Sequence, residues 1–388
     1  MPKPRVSVIV GTRPEAIKMA PVVWELRKKF EAIDSSVCIT GQHSTLLDEV
    51  LDFFEIEPDQ SFKIMREHQS LAAVTGKVLD EVSGYLSEER PDIVLVHGDT
   101  ATTYGASLAA FYQGIPIHHV EAGLRTHQIK DPFPEEFNRK SVALMASVHY
   151  APTQSAKQNL LAEGVRDECV SVTGNTVVDA MQGVRLSWER DPHRLHRTQD
   201  EIENILPRRI VDGNFTLVTI HRRESIGLVI ESVCNALGEL AAQNPNEHFV
   251  FPVHPNPKVA GVVKAKLATI QNVSIIPALR YPLFLYLLSK CRLVISDSGG
   301  VQEEAPSFGK KVLVVRESTE RQEALDTGFA TLVDGSEAEI MRAWGEHRHS
   351  SLPHDAKNPT NPFGDGGAAK RIIERIMLEL QIVHRNEC

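Results

Sequence analysis

Residues 93–120 read IVLVHGDTATTYGASLAAFYQGIPIHHV. The apolar run Ile93–His97 has strand length, Thr102–Gln113 follows with helical period, and Ile115–Val120 returns to strand character. A strand, a helix and a second strand with short joints build a parallel sheet, because parallel neighbours need a crossover connection. The same alternation begins with Arg5–Val10 and Pro14–Phe30. It resumes with Phe215–Ile220, Leu228–Gln243, Phe249–Val253, Leu293–Ser296 and Val312–Val315, which predicts a second α/β domain. Between the two, Ser187–Phe215 is rich in Arg, Asp, Glu, His and Asn and reads as a surface connection. The boundary is placed near Asn175, giving domains of residues 1–175 and 176–366. The closing stretch Ala368–Gln381 carries Ile372, Ile373, Ile376, Met377 and Leu380 at helical spacing and needs a surface to pack on.

A chain of 388 residues has room for two such domains, and 42% hydrophobic with 24% charged residues is ordinary for a globular protein. A formal charge of −9 with scattered basic residues argues against a nucleic-acid partner. The start MPKPRVSVIVGT has no apolar signal core, and no stretch reaches the length of a membrane span, so the expected location is cytoplasmic. Five cysteines, Cys38, Cys169, Cys234, Cys291 and Cys388, are widely spaced without a CxxC, which predicts reduced thiols rather than disulfides or a zinc site.

In open parallel sheets ligands bind beyond the carboxyl ends of the strands, so the residues after each apolar run carry the functional argument. Val10 is followed by Gly11-Thr12-Arg13-Pro14-Glu15, where Pro14 starts a helix. Arg13 and Lys18 then lie near a positive dipole end, which calls for a phosphate-bearing ligand or for pairing with Glu15 or Glu25. Asp99 and Glu121 end two consecutive strands and are expected to face one crevice as an acid–base pair, their proton affinities pushed apart; Asp99 is also a candidate helix cap. Glu135 and Glu136 read as dipole-stabilising acids in the first turn of a helix.

In the second half, His221 and His254 occupy strand ends, with Arg222 and Arg223 beside the first. Their spacing has no metal-ligand pattern, and no metal is expected. The segment LVISDSGGVQEE, residues 293–304, runs from strand through a Ser298-Gly299-Gly300 turn into a helix and reads as a phosphate cradle. Glu304 is a candidate for a ribose diol, with a dipole role as the alternative for it and for Glu303. The segment matches neither a dinucleotide fingerprint nor a P-loop, and Gly364–Ala369, which formally fits GxGxxA, follows a Pro-rich loop rather than a strand.

The series GTRPEAIKMAP, HGDT, VEAGLRT, PFPEEFNR, GNTVVDA, HRRE, PVHPNP, DSGGVQEEAPSFGK and TERQEA, in that order, closely resembles the non-hydrolysing UDP-N-acetylglucosamine 2-epimerases. The resemblance implies a GT-B fold of class α/β: two Rossmann-like parallel-sheet domains, the active site in the interdomain cleft, and a last helix, 367–388, packing back on the first domain. It implies interconversion of UDP-GlcNAc and UDP-ManNAc by loss and re-addition of UDP through 2-acetamidoglucal, with no redox cofactor. Asp99, Glu121, Glu135 and His221 would form the acid–base group. Arg13 and His254 with Ser298, Gly299 and Gly300 would hold the diphosphate, Glu304 the ribose and Phe284 the uracil, with Lys18 and Arg321 completing a basic lining. A homodimer is implied as well.

Two departures stand out: Gln322 in the segment Glu320–Ala324, where the family usually reads ERPEA, and Arg280 where the family often has Asp. Some members bind a second UDP-GlcNAc as activator through a loop resembling Gly41-Gln42-His43. Ser44, Thr45 and His68 are short or altered relative to those members, which predicts weak or absent activation. Competing readings are the same epimerisation on a UDP-2,3-diacetamido uronic acid, with Arg280 as a partner for the added carboxylate, hydrolytic release of the sugar, glycosyl transfer, and a silent nucleotide-sugar binder.

Overall fold

A computed structural model describes residues 3–41, 45–64, 69–222, 225–349 and 361–386. The chain separates into two compact units, Met1–Gly183 with Phe363–Cys388, and Val184–Pro362.

The first unit holds strands β1 (Arg5–Val10), β2 (Asp34–Ile39), β3 (Gln60–Ser61), β4 (Ile93–His97), β5 (Ile117–Val120), β6 (Val148–Ala151) and β7 (Val170–Val172). They form one parallel sheet in the order β3-β2-β1-β4-β5-β6-β7. Every residue of β4 is buried, as expected of a strand covered on both faces. The second unit holds β8 (Phe215–Thr219), β9 (His248–Val253), β10 (Val273–Pro277), β11 (Leu293–Ser296), β12 (Lys311–Val315) and β13 (Ala330–Val333), in the order β10-β9-β8-β11-β12-β13. These strands are parallel too. Both sheets thus follow Rossmann order, and in each the direction of winding reverses beside the first strand: between β1 and β4, and between β8 and β11. The two-domain α/β class expected from the sequence is what the strands and helices form.

Helices fall where the period placed them, with ends shifted by a few residues: Arg13–Arg27, Ala101–Tyr112, Leu228–Gln243 and Ala368–Asn386. The last of these packs against Arg13–Arg27. Its start is fixed by Asp179, whose carboxylate accepts the amides of Ala368 and Ala369 at 3.2 and 2.9 Å. Burial dominates at Asp179 and raises its carboxyl to about 6 against those two amides.

Residues 187–215, read from the sequence as a surface connection, are largely helical: a helix continues to Arg190, and two more span Pro192–Glu203 and Arg208–Val211. Their polar majority faces water, while Ile202, Leu206 and Val211 are buried; sparse anchors of this kind suffice to seat a helix on a core. β5 also starts at Ile117 rather than Ile115, and Pro116 contributes only its carbonyl, to Val94.

Cys38, Cys234 and Cys291 are buried free thiols pushed up to about 12 by burial, and Cys169 is half-buried; Cys388 lies outside the described residues. Among the described residues no helix is long and apolar enough to cross a membrane.

Four imidazoles are buried in neighbouring strands of the first sheet: His97, His118, His119 and His149. Burial lowers each, to about 4, 3, 3 and 4. The folded chain therefore keeps them neutral while an unfolded chain takes up protons below its ordinary value near 6.5. Stability is then complete above that value and lost as pH falls toward 4, by up to about 1.4 kcal/mol per pH unit for each histidine. Urea unfolding measured between pH 7.5 and 5 should show decreasing stability on acidification, with a shallower slope in His149→Gln; a flat profile contradicts the assignment.

Candidate active site

In the first unit the residues at issue leave β1, β4 and β5 at their carboxyl ends. After β1, Thr12 caps the helix Arg13–Arg27 in a capping box with Glu15. The Glu15 carboxylate accepts the amides of Gly11 and Thr12 at 3.0 and 2.6 Å and the hydroxyls of Thr100 and Thr103 at 2.8 and 3.0 Å. Burial nevertheless prevails and raises its carboxyl. Glu15 thereby ties the β1 turn to the β4 turn. A side chain at Gly11 is impossible in this arrangement, since its Cβ would lie 1.9 Å from Thr102 Oγ1. Arg13 is half-buried at the start of that helix.

After β4, the helix cap is Thr100, whose hydroxyl accepts the Thr103 amide at 3.1 Å, so the capping role considered for Asp99 falls to its neighbour. The Asp99 carboxylate instead pairs with Arg139, and its carbonyl accepts Asn138 Nδ2 at 2.8 Å. Both partners come from the helix Glu135–Met145. Glu135 lies one turn before Arg139, on the same face of that helix, which brings its position toward Asp99. Glu136 is fully buried and holds the preceding loop by accepting the amides of Thr126 and His127 at 3.1 and 3.2 Å. A role beyond dipole compensation is thus present at Glu136.

After β5 comes Glu121, with a left-handed backbone at φ 63°, a conformation that costs a non-glycine residue about 1 kcal/mol or more. Its Oε1 lies 3.7 Å from where a Gly98 Cβ would be, so it stands beside the β4 turn that carries Asp99. The two carboxylates do emerge side by side from adjacent strands. Glu121 is ion-paired with Lys18 and accepts Asn175 Nδ2 at 2.9 Å, while Asp99 has Arg139. His97 Nε2 lies 3.7 Å from Glu121 but is neutral at pH 7, burial being the main cause, so Lys18 supplies the balancing charge. Of the carboxylates near Lys18, Glu121 is the one it pairs with across the strand ends.

In the second unit the residues leave β8, β9 and β11. His221 follows β8 and His254 follows β9; both are exposed, with rings nearly parallel at 20° and centroids 6.3 Å apart. After β11, Asp297 is fully buried and accepts the amides of His221 and Arg222 at 3.0 and 2.9 Å and the Ser225 hydroxyl at 2.8 Å. Ser298, Gly299 and Gly300 are half-buried, Ser298 standing at the N-cap position of the short helix Gly299–Glu304 without a side-chain capping bond. Arg321 lies across Gly299, whose Cβ would meet its guanidinium carbon at 2.8 Å. Its Nε and Nη2 each lie 2.9 Å from Glu303, and Nη1 pairs with Glu320. The basic lining expected of Arg321 is thus balanced by two buried carboxylates, and Glu303 is an ion-pair partner rather than a dipole residue. Glu304 is buried, and Phe284 is half-buried in the first turn of the helix Tyr281–Lys290. Arg280 pairs with Glu201 at the surface.

Gln42, His43, Ser44, His68, Arg223 and Glu224 lie outside the described residues, as does the side chain of Thr45. Among the described residues no group of three or more His, Cys, Asp or Glu side chains fits a metal ion. Asn175, Arg139 and Asp297 carry no separate role in the sequence reading, although each lies inside a quoted motif. The signal available was a polar residue placed at a strand or helix end beside a carboxylate or imidazole.

Paired Rossmann-ordered sheets with carboxylates at one reversal point and an imidazole beside a Ser-Gly-Gly turn at the other define an α/β protein of the nucleotide-binding class. The family model described as UDP-N-acetylglucosamine 2-epimerase matches residues 25–377. A Yersinia pestis protein named UDP-N-acetylglucosamine 2-epimerase is 45% identical over 376 residues, 96% of this chain and 98% of its own. The crystal structure of UDP-GlcNAc 2-epimerase from Neisseria meningitidis bound to UDP-GlcNAc matches with a TM-score of 0.89 at 41% identity, covering 96% of this chain and 99% of that one. The Methanocaldococcus jannaschii enzyme in complex with UDP-GlcNAc and UDP matches at 0.86 and 30% identity, covering 96% and 99%. The chain belongs to the UDP-N-acetylglucosamine 2-epimerase family.

Removing one member of a buried ion pair strands the other, at a cost of about 3–5 kcal/mol. Lys18→Met should therefore lose stability of that order in urea unfolding, and Lys18→Met with Glu121→Gln should recover most of it. Additive losses in the double variant would show that the two side chains do not interact.

Proposed function

We propose that this chain interconverts UDP-N-acetylglucosamine and UDP-N-acetylmannosamine. The observation that carries the reading is the placement of Asp99 and Glu121 on adjacent strand ends, each held by a buried cation, in a chain of this family. The C2 hydrogen of the sugar has no neighbouring carbonyl, so direct abstraction is prohibitively slow. Breaking the C1–O bond releases UDP and makes that hydrogen acidic; its loss as a proton leaves 2-acetamidoglucal. UDP then re-forms the C1–O bond while a proton returns to the opposite face of C2. One proton is removed and one returned, with no net electron transfer, so the proposal includes neither a redox cofactor nor a metal.

Asp99, Glu121, Glu135 and His221 are the proposed acid–base group. Arg13, Lys18 and Arg321 with His254, Ser298, Gly299 and Gly300 are proposed for the diphosphate, whose departing charge they would stabilise. Glu304 is proposed for the ribose and Phe284 for the uracil. The acetamido sugar is favoured over a uronic acid because Arg280 already has Glu201 as its partner. The proposal extends to a cytoplasmic homodimer, to be checked by fractionation and by light scattering, and to weak or absent activation by substrate, to be checked by hyperbolic UDP-ManNAc kinetics that a trace of UDP-GlcNAc leaves unchanged.

Incubation with UDP-GlcNAc in deuterated water, followed by NMR, should give the manno epimer with deuterium at C2. Asp99→Asn and Glu121→Gln should each slow that exchange by about 10²–10⁴-fold. Accumulation of UDP with free sugar would replace the reading with hydrolysis, and epimerisation without deuterium would refute the elimination route.

A further inference from the structure

His221 is held from behind by a side chain that has no contact with water. Asp297 has no exposed surface, yet it carries a charge: burial works against the carboxylate, but the contacts from His221, Arg222 and Ser225 outweigh it and keep Asp297 below the usual range. Both oxygens are used. Oδ2 accepts the His221 amide at 3.0 Å, the Arg222 amide at 2.9 Å and the Ser225 hydroxyl at 2.8 Å; Oδ1 accepts the His221 amide at 3.2 Å and lies 3.2 Å from His221 Nδ1. An ionised carboxylate can only accept, so Nδ1 must be the nitrogen that carries hydrogen. In a neutral ring that leaves Nε2 as the proton acceptor. The imidazole is 43% exposed, so one nitrogen is anchored inside while the ring stays open to a ligand.

We propose that Asp297 is the positioning residue of the acid–base histidine: it fixes His221 in the Nδ1–H tautomer, presents Nε2 to the substrate, and offsets the positive charge that the ring gains when Nε2 takes a proton. This rests on the reading that His221 belongs to the acid–base group. The balance is simple. Nε2 accepts one proton during one half of the exchange and returns one in the other, while Asp297 stays ionised throughout and transfers nothing. The logic parallels the buried aspartate of the serine-protease triad, where the amide variant keeps the geometry but presents the wrong tautomer.

The test uses the full-length protein labelled with ¹⁵N-histidine, at a pH of about 9, well above the range in which an ordinary imidazole takes up a proton. The His221 resonances, identified by their loss in His221→Asn, should show Nδ1 protonated and Nε2 bare. An Nε2–H tautomer in the unmodified protein overturns the proposal, whether or not any variant folds. Asp297→Asn should switch the tautomer and lower kcat by about 10²–10⁴-fold, with KM and UDP affinity changed little. Ser225→Ala, which removes one hydrogen bond to Asp297 but leaves Nδ1 its partner, should keep the tautomer. A folded Asp297→Asn protein with unchanged kcat refutes the positioning role. Full activity in His221→Asn would instead refute the reading beneath it while leaving the tautomer as measured.

Discussion

A carboxylate removed from water is tolerated only where the protein supplies the donors that water would have supplied, and at the end of β5 this requirement governs the surrounding structure. Glu121 sits in a left-handed backbone conformation that a side chain adopts at a cost, and it meets Lys18 from the first helix and Asn175 from the segment after β7. Three distant parts of the chain converge on one charge. The buried His97 beside it is no substitute for Lys18, because burial keeps that ring neutral. Strain retained at a site so thoroughly bound by partners is the pattern expected where a charge has a task other than stability.

The same constraint recurs in the second unit with different chemistry. Asp297 is satisfied by amides, a hydroxyl and an imidazole rather than by a lysine, so its charge is delivered to His221 instead of being cancelled by a fixed cation. Glu303 and Glu320 take the guanidinium of Arg321, which lies on Gly299. The glycine is needed there for the approach of that side chain as well as for any ligand. Two uses of buried charge thus stand side by side in this unit: a network around Arg321 that lies on the Ser-Gly-Gly turn, and Asp297 against an imidazole.

The sequence shows the fold where its strands are mostly apolar. Arg5–Val10, Ile93–His97 and Leu293–Ser296 have the same ends in the sequence and in the structure. Strands that carry polar residues into the sheet are harder to see: β6 is Val-His-Tyr-Ala with His149 and Tyr150 buried, and β2 begins Asp-Ser-Ser. Some of their polar groups meet neighbouring side chains, as Ser36 meets the Tyr85 hydroxyl at 2.8 Å, while the buried Nδ1 of His149 has no hydrogen-bond partner, and no periodicity announces either. The helices within 187–215 were hidden for a related reason, since few apolar anchors seat them. At the site, the location of the chemistry was legible, because strand ends of a parallel sheet are where ligands bind. The partners were not. That Lys18 would reach Glu121, or Arg139 reach Asp99, depends on which helix each strand end faces, and spacing along the chain does not contain that information.

Two sheets of the same winding order put their functional residues at the same topological place and equip them oppositely. At the ends of β4 and β5 the first unit gives Asp99 and Glu121 a cation each, so the charge of those two carboxylates is balanced before any ligand arrives. An anionic ligand meeting that surface finds Lys18 and Arg139 already engaged, and what it perturbs is the partnership of Glu121 and Asp99. Beside β8 and β11 the second unit offers backbone amides, a hydroxyl and imidazoles, groups that bind an anion without carrying a full fixed charge of their own. In the proposed reading such donors would hold a diphosphate while leaving it free to leave and return, whereas an unpaired buried cation would hold it too firmly for a reversible exchange. The division follows from electrostatics: groups that exchange a proton need their charge poised by neighbours, and groups that grip a leaving group need directionality more than charge.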